Sequence, residues 1–132
     1  MVLVDTSVWI EFFKAKHPYF QDFSVLLADR QVLTTSCIFG ELLQGARNKR
    51  EEKILLEFWN DLPKVSLELF ENSWINAGKT SSTERWYAKG VGLIDATILQ
   101  ISKTTGAKLW TLDKAMNKIS EKWALRFEAA SG

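Results

Sequence analysis

Val2-Leu3-Val4-Asp5-Thr6-Ser7-Val8-Trp9-Ile10 opens the chain, and the reading of these nine residues decides the fold. Three consecutive apolar, mostly β-branched residues mark a short buried strand, because a strand covered on both faces needs no polar alternation. Asp5-Thr6-Ser7 ends that run with three side chains suited to helix N-caps. Val8 to Phe13 then reads as a helix. The unit is strand, turn and helix, with an acid at the strand's carboxyl end.

Two further strands have the same short, apolar character. Val32-Leu33-Thr34 precedes a helix that starts at Ser36, runs through Glu41, Leu42 and Leu43, and closes at Gly45 or Asn48. Lys108 to Leu112 precedes Asp113 and a helix reaching Lys122. The intervening segments are helical. Pro18 opens a helix carrying Phe20, Phe23, Leu26 and Leu27, and Lys49 to Leu62 has an apolar stripe of Ile54, Leu55, Phe58 and Trp59 before Pro63. Leu67 to Ala77 follows, and Leu93 to Ile101 is a buried helix with Asp95 in its first turn, terminated by Gly106. Gly78 to Gly92 is polar and indistinct, and Leu125 to Phe127 reads as a last edge strand. Strands alternating with helices predict a three-layer α/β/α fold around a central, mainly parallel sheet. In such folds the functional crevice lies at the carboxyl ends of the strands.

Composition sets the limits. With 132 residues, 46% apolar and 25% charged, the chain has the globular average and the length for one core, which excludes disorder and coiled coil. No repeat or linker is visible, so residues 1–132 are expected to form one domain. Seventeen basic residues against sixteen acidic ones leave a net charge of +1, too little for a chain-wide grip on nucleic acid. The single cysteine, Cys37, excludes an internal disulfide and a thiolate metal site; it reads as an inert core residue. The single histidine, His17, excludes a multi-histidine metal site, makes a Ser-His-Asp arrangement unfavourable, and reads as a surface-loop residue. Val2-Leu3-Val4 is too short for a signal-peptide core, and no apolar run approaches the roughly 18 residues of a membrane span. The expectation is a soluble, cytoplasmic protein with no membrane partner.

Four acids stand in apolar surroundings: Asp5 after the first strand, Glu41 among Cys37, Ile38, Leu42 and Leu43, Asp95 within Leu93 to Leu99, and Asp113 after the third strand. Each has an ordinary structural reading. The three aspartates stand where helices begin, where a capping acid stabilises by about 1 kcal/mol without any function. Glu41 fits a solvated helix face. As a set they read differently, because two strand ends and two helix faces can bring four acids to one crevice, and no arginine lies in the motifs to neutralise them. Clustered carboxylates repel unless a cation sits among them. An all-oxygen donor set with room for water suits Mg²⁺ or Mn²⁺. Such a site supports phosphodiester hydrolysis, in which the ion activates water and offsets charge building on the phosphate oxygens.

The four stretches Val4 to Ile10, Gly40-Glu41-Leu42-Leu43-Gln44-Gly45-Ala46, Gly92-Leu93-Ile94-Asp95-Ala96-Thr97-Ile98 and Leu109-Trp110-Thr111-Leu112-Asp113 resemble, in order and spacing, the motifs of PIN-domain ribonucleases. The resemblance is strongest to the VapC-type toxins of prokaryotic toxin–antitoxin pairs. It implies a PIN-like fold and an endoribonuclease dependent on Mg²⁺ or Mn²⁺. Asp5, Glu41, Asp95 and Asp113 would be the catalytic and metal-holding acids, and Thr6, Ser7 and Thr111 the supporting hydroxyls. It further implies an RNA substrate, products with a 5′-phosphate and a 3′-hydroxyl, a small antitoxin partner whose tail lies across the acids, and a homodimer. Many relatives carry a further acid just after the fourth; Ala115 and Met116 stand in that stretch here, which bears on a second metal position.

Two alternatives stay open: a PIN-like binding module with little catalysis, and a non-toxin PIN nuclease that processes RNA. An aspartyl-phosphate phosphatase needs a second acid two residues after the first, where this chain has Ser7, and a receiver domain needs an adjacent acidic pair at the first strand's end. Two basic groups, one from Lys103 to Arg126 and one formed by Arg47, Lys49, Arg50 and Lys53, read either as rims steering RNA phosphates or as solvated helix faces. Trp9, Trp59, Trp74, Trp110 and Trp123 read as core or subunit interface. Trp86 and Tyr87 read either as packing residues or as platforms for unpaired bases.

Overall fold

The computed structural model describes residues 1–15 and 19–129. The readings of His17 as a loop residue and of Pro18 as a helix opener lie outside the described residues. Three parallel strands, β1 (Val2–Val4), β2 (Val32–Leu33) and β3 (Lys108–Trp110), form one sheet in the order β2-β1-β3. Val2 and Leu3 pair with Val32 and Leu33 on one side, and Val2, Leu3 and Val4 with Lys108, Leu109 and Trp110 on the other. The sheet extends by single parallel bridges, Thr34 with Lys64 and Leu109 with Arg126. The expected edge strand at Leu125 to Phe127 is therefore one bridge, held by Leu109 N–H donating to Leu125 O (2.7 Å) and Phe127 N–H to Leu109 O (2.8 Å).

Seven helices flank the sheet among the described residues: α1 (Thr6–Phe13), α2 (Tyr19–Ala28), α3 (Ser36–Gln44), α4 (Lys49–Asp61), α5 (Leu67–Glu84), α6 (Leu93–Thr105) and α7 (Lys114–Lys122). Their main contacts fall into two sets, one linking α1 to α4 and the other α5 to α7, which gives the three-layer α/β/α arrangement. Local chemistry fixes the ends. Asn48 accepts from Glu51 N–H at the start of α4, and Ser66 accepts from Leu69 N–H at the start of α5. Gly106 ends α6 at φ +76°, a left-handed conformation that glycine adopts without strain.

The fully buried residues Leu3, Val4, Leu109 and Val32 run through the centre of the core. On the α1–α4 side Trp9 is fully buried amid Phe23, Phe39 and Phe58, with ring centroids 4.5 to 5.5 Å away. This aromatic wedge seats the first turn of α1, which carries Thr6 and Ser7. One expectation needs correction. Gly78 to Gly92 is not indistinct, because α5 continues through Gly78 to Glu84 along the flank of α6 and a short 3-10 turn follows at Tyr87–Lys89. Of the two readings of Trp86, packing holds: its ring is buried and packs on Trp123 at 5.8 Å, whereas Tyr87 stays exposed.

Candidate active site

Strand order alone places the crevice. The chain leaves β1 for β2 on one side, then crosses over to β3 on the other, so the connections diverge at the carboxyl ends of β1 and β3. That is the switch point where parallel sheets open a binding crevice. Asp5 follows β1 directly, and its backbone N–H donates to Trp110 O (2.9 Å), which carries the β1–β3 pairing one step past the strand. Thr111 and Asp113 follow β3.

Asp5 stands at the N-cap of α1, yet its side chain does not cap the helix. The carboxylate is buried and turned toward β3, where Oδ2 accepts from Thr111 Oγ1 at 2.7 Å and from Ser7 Oγ at 3.2 Å. Two hydroxyl donors offset part of the cost of burying that charge. Each hydroxyl also accepts from the β3–α7 turn: Leu112 N–H donates to Ser7 Oγ (3.1 Å) and Asp113 N–H to Thr111 Oγ1 (3.1 Å). Thr6 serves a different acid. Its Oγ1 donates to Glu41 Oε1 at 2.8 Å and ties α1 to the exposed carboxylate of α3. Asp113 does cap its helix, with Oδ1 accepting from Met116 N–H at 2.9 Å. The structural reading of a helix-capping acid thus holds for Asp113 and fails for Asp5.

Asp95, in the first turn of α6, completes the group electrostatically. Partial burial and then the charges of Asp5, Asp113 and Glu41 push its carboxyl up to about 6. Asp95 thus lies within the field of the other three acids, and none of the four makes an ion pair among the described residues. Nor do any three acid, histidine or cysteine side chains among the described residues close into a ready-made metal cage. A small hard cation fits that arrangement, because Mg²⁺ keeps several waters and takes one or two carboxylates directly. The donor set consists of carboxylate and hydroxyl oxygens, with no soft ligand suited to a thiophilic metal. Cys37 stands near Glu41, but its half-buried thiol is pushed up to about 11, first by burial and then by that carboxylate, and stays protonated and inert.

One supporting residue escaped the sequence reading. Asn117 Nδ2 donates to Thr111 O at 3.0 Å and fastens α7 to the end of β3. Its only trace in the sequence is its position four residues after Asp113, on the same helix face.

A short parallel sheet with acids at its switch point and helices on both faces defines a class of three-layer α/β protein. The PIN domain family model matches residues 2–122, and the chain belongs to that family. Ribonuclease VapC32 of Mycobacterium tuberculosis is 29% identical over 117 residues, covering 88% of this chain and 87% of the relative. The fold is shared with VapBC2 from Rickettsia felis, solved bound to a DNA fragment from its promoter (TM-score 0.62, 17% identity, 95% of this chain and 93% of that one). It is shared also with Mycobacterium tuberculosis VapC20, a toxin that cleaves the sarcin–ricin loop (TM-score 0.59, 19% identity, 90% and 95%).

Proposed function

We propose that this chain is a metal-dependent endoribonuclease and the toxin of a toxin–antitoxin pair, with residues 1–132 as one PIN-like domain acting in the cytoplasm. What supports the reading is that Asp95 feels the charges of Asp5, Asp113 and Glu41, none of the four paired with a cation among the described residues, in a chain of the PIN family. Similarity to a protein named a ribonuclease, over most of both chains, supports RNA as the substrate. No helix among the described residues is long and apolar enough to cross a membrane.

Asp5, Glu41, Asp95 and Asp113 would hold Mg²⁺ or Mn²⁺, directly or through water. When bound, the ion supplies charge neutralisation for the phosphate and lowers the pKa of nearby water. The chain's own residues prepare the place. Thr111 and Ser7 both hold the Asp5 carboxylate by Oδ2, and Oδ1 accepts no hydrogen bond among the described residues. Thr6 aims Glu41, and the cap on α7 holds Asp113 by one oxygen only. Fixed ligands reduce the reorganisation needed when substrate phosphate arrives.

The antitoxin has a fitting surface. A groove of about 560 Å³ between α1, α3 and α4 begins at Glu41 and runs over Ile10, Phe13, Leu42 and Ile54. An apolar segment seated there delivers a basic side chain to the acids, where it competes with the metal. Exposed Ile10, Phe13 and Phe20 also supply apolar area for a homodimer face.

Expression of this chain alone arrests growth on this account, Asp5→Ala abolishes the arrest, and co-expression of the antitoxin relieves it. A harmless wild-type chain that nonetheless forms a stable complex with another protein would favour the binding-module alternative instead.

A further inference from the structure

The two basic groups of the sequence have different fates in the fold. In α4, positive charge is interleaved with Glu51, Glu52 and Glu57, and Arg47 pairs with Glu51 at 2.8 Å and Lys49 with Glu52 at 3.5 Å. In the later group, Arg126 pairs with Glu121 at 3.5 Å, and Lys103 Nζ sits 5.0 Å from the ring centroid of Trp123. Lys108 lies apart on β3, which leaves Lys114, Lys118 and Lys122 of α7. They are exposed, they make no ion pair among the described residues, and their i, i+4, i+8 spacing sets them on one helix face. The opposite face buries Met116, Ile119 and Ser120.

Three like charges at successive i, i+4 positions weaken a helix, and this row does nothing for the core. Its placement suits another use. The row begins one residue after Asp113 and spans about 12 Å along the axis. It is also fixed relative to the acids, because Asn117 anchors α7 to Thr111 O and Asp113 caps it. A fixed positive ridge leading away from a negative crevice matches a polyanion that needs its backbone held on one side and its scissile phosphate delivered to the other.

We propose that Lys114, Lys118 and Lys122 form the track that binds the backbone phosphates of single-stranded RNA flanking the cleaved bond, so that α7 sets the direction in which the substrate lies across the acids. This rests on the ribonuclease reading of the site. It assigns the α7 group, and not the α4 group, as the electrostatic footprint.

The test is the salt dependence of RNA binding, read by fluorescence anisotropy with a labelled single-stranded RNA in Mg²⁺, in an Asp95→Asn background to limit cleavage. The variant Lys114→Gln/Lys118→Gln/Lys122→Gln keeps helix propensity, and circular dichroism checks its fold. Its log–log salt slope should become shallower by about 2, near 0.7 per lost phosphate contact. Arg50→Gln/Lys53→Gln should leave the slope unchanged. An unchanged slope in the α7 variant, or the same loss in the α4 variant, overturns the proposal. Cleavage by the chain without the Asp95 change is measured in parallel. If that chain cuts no RNA while the α7 slope still falls, the ridge stands as an RNA track and the nuclease reading fails; cleavage with an unaltered slope sinks the ridge alone.

Discussion

The hydroxyl of Thr111 donates a 2.7 Å hydrogen bond to the Oδ2 atom of Asp5, joining residues 106 apart in sequence at adjacent strand ends. The Thr111 Oγ1 atom in turn accepts from Asp113 N–H, so one buried hydroxyl positions two of the four acids. Thr111→Val keeps the shape and deletes both bonds. Leaving buried groups unsatisfied should destabilise the fold by about 1–3 kcal/mol and reduce cleavage beyond what the lost stability explains. Thermal unfolding beside a nuclease assay below the melting temperature separates the two, and unchanged turnover would deny Thr111 a positioning role.

Asp113 offers a separation of structure from chemistry. Asparagine caps helices as well as aspartate does, whereas alanine costs about 1 kcal/mol. Asp113→Asn should therefore melt like the wild type and lose cleavage, while Asp113→Ala should lose both. Retained activity in the asparagine variant would return Asp113 to a plain helix cap.

Asp95 predicts a pH-dependent trade between stability and function. The unfolded carboxyl titrates near 3.8 and the folded one at about 6. Between those values the folded chain keeps a proton that the unfolded chain has released, so stability falls as pH rises through the window. The penalty is absent below about 3.8 and complete above about 6. Because the side chain is partly solvated, its size is on the order of 1 kcal/mol. Asp95→Asn should thus raise Tm by about 3 °C at pH 8, give no gain at pH 4, and abolish cleavage. A Tm difference between variant and wild type that is the same at pH 4 and at pH 8 would contradict the raised Asp95 carboxyl.

The strands were the most legible part of the sequence, because a doubly covered parallel strand is a plain apolar run and Asp5 and Asp113 mark two of the ends. The second half of α5 was not. Gly78, Thr80, Ser81, Ser82 and Thr83 are weak helix formers, and the helix persists there because it packs along α6, a tertiary contact that no local pattern contains. Trp86 stayed open between two readings for a related reason: its neighbours are polar, and only the fold shows its ring turned inward onto Trp123. At the proposed site, the four acids stand out in the sequence as charge in apolar surroundings. The division of labour that gives Ser7 to Asp5 and Thr6 to Glu41 was not, nor was Asn117, since each depends on which partner docking brings within reach.

The central claim is that the four acids act together by holding a divalent ion that cleaves RNA. Cleavage of one labelled single-stranded RNA by wild type and Asp95→Asn, each across a Mn²⁺ titration and in excess EDTA, tests it most directly. The account predicts wild-type cleavage that rises with Mn²⁺ and vanishes in EDTA, and no cleavage by Asp95→Asn at any Mn²⁺ concentration. Full wild-type activity in EDTA, or an Asp95→Asn variant as active as the wild type, would contradict it.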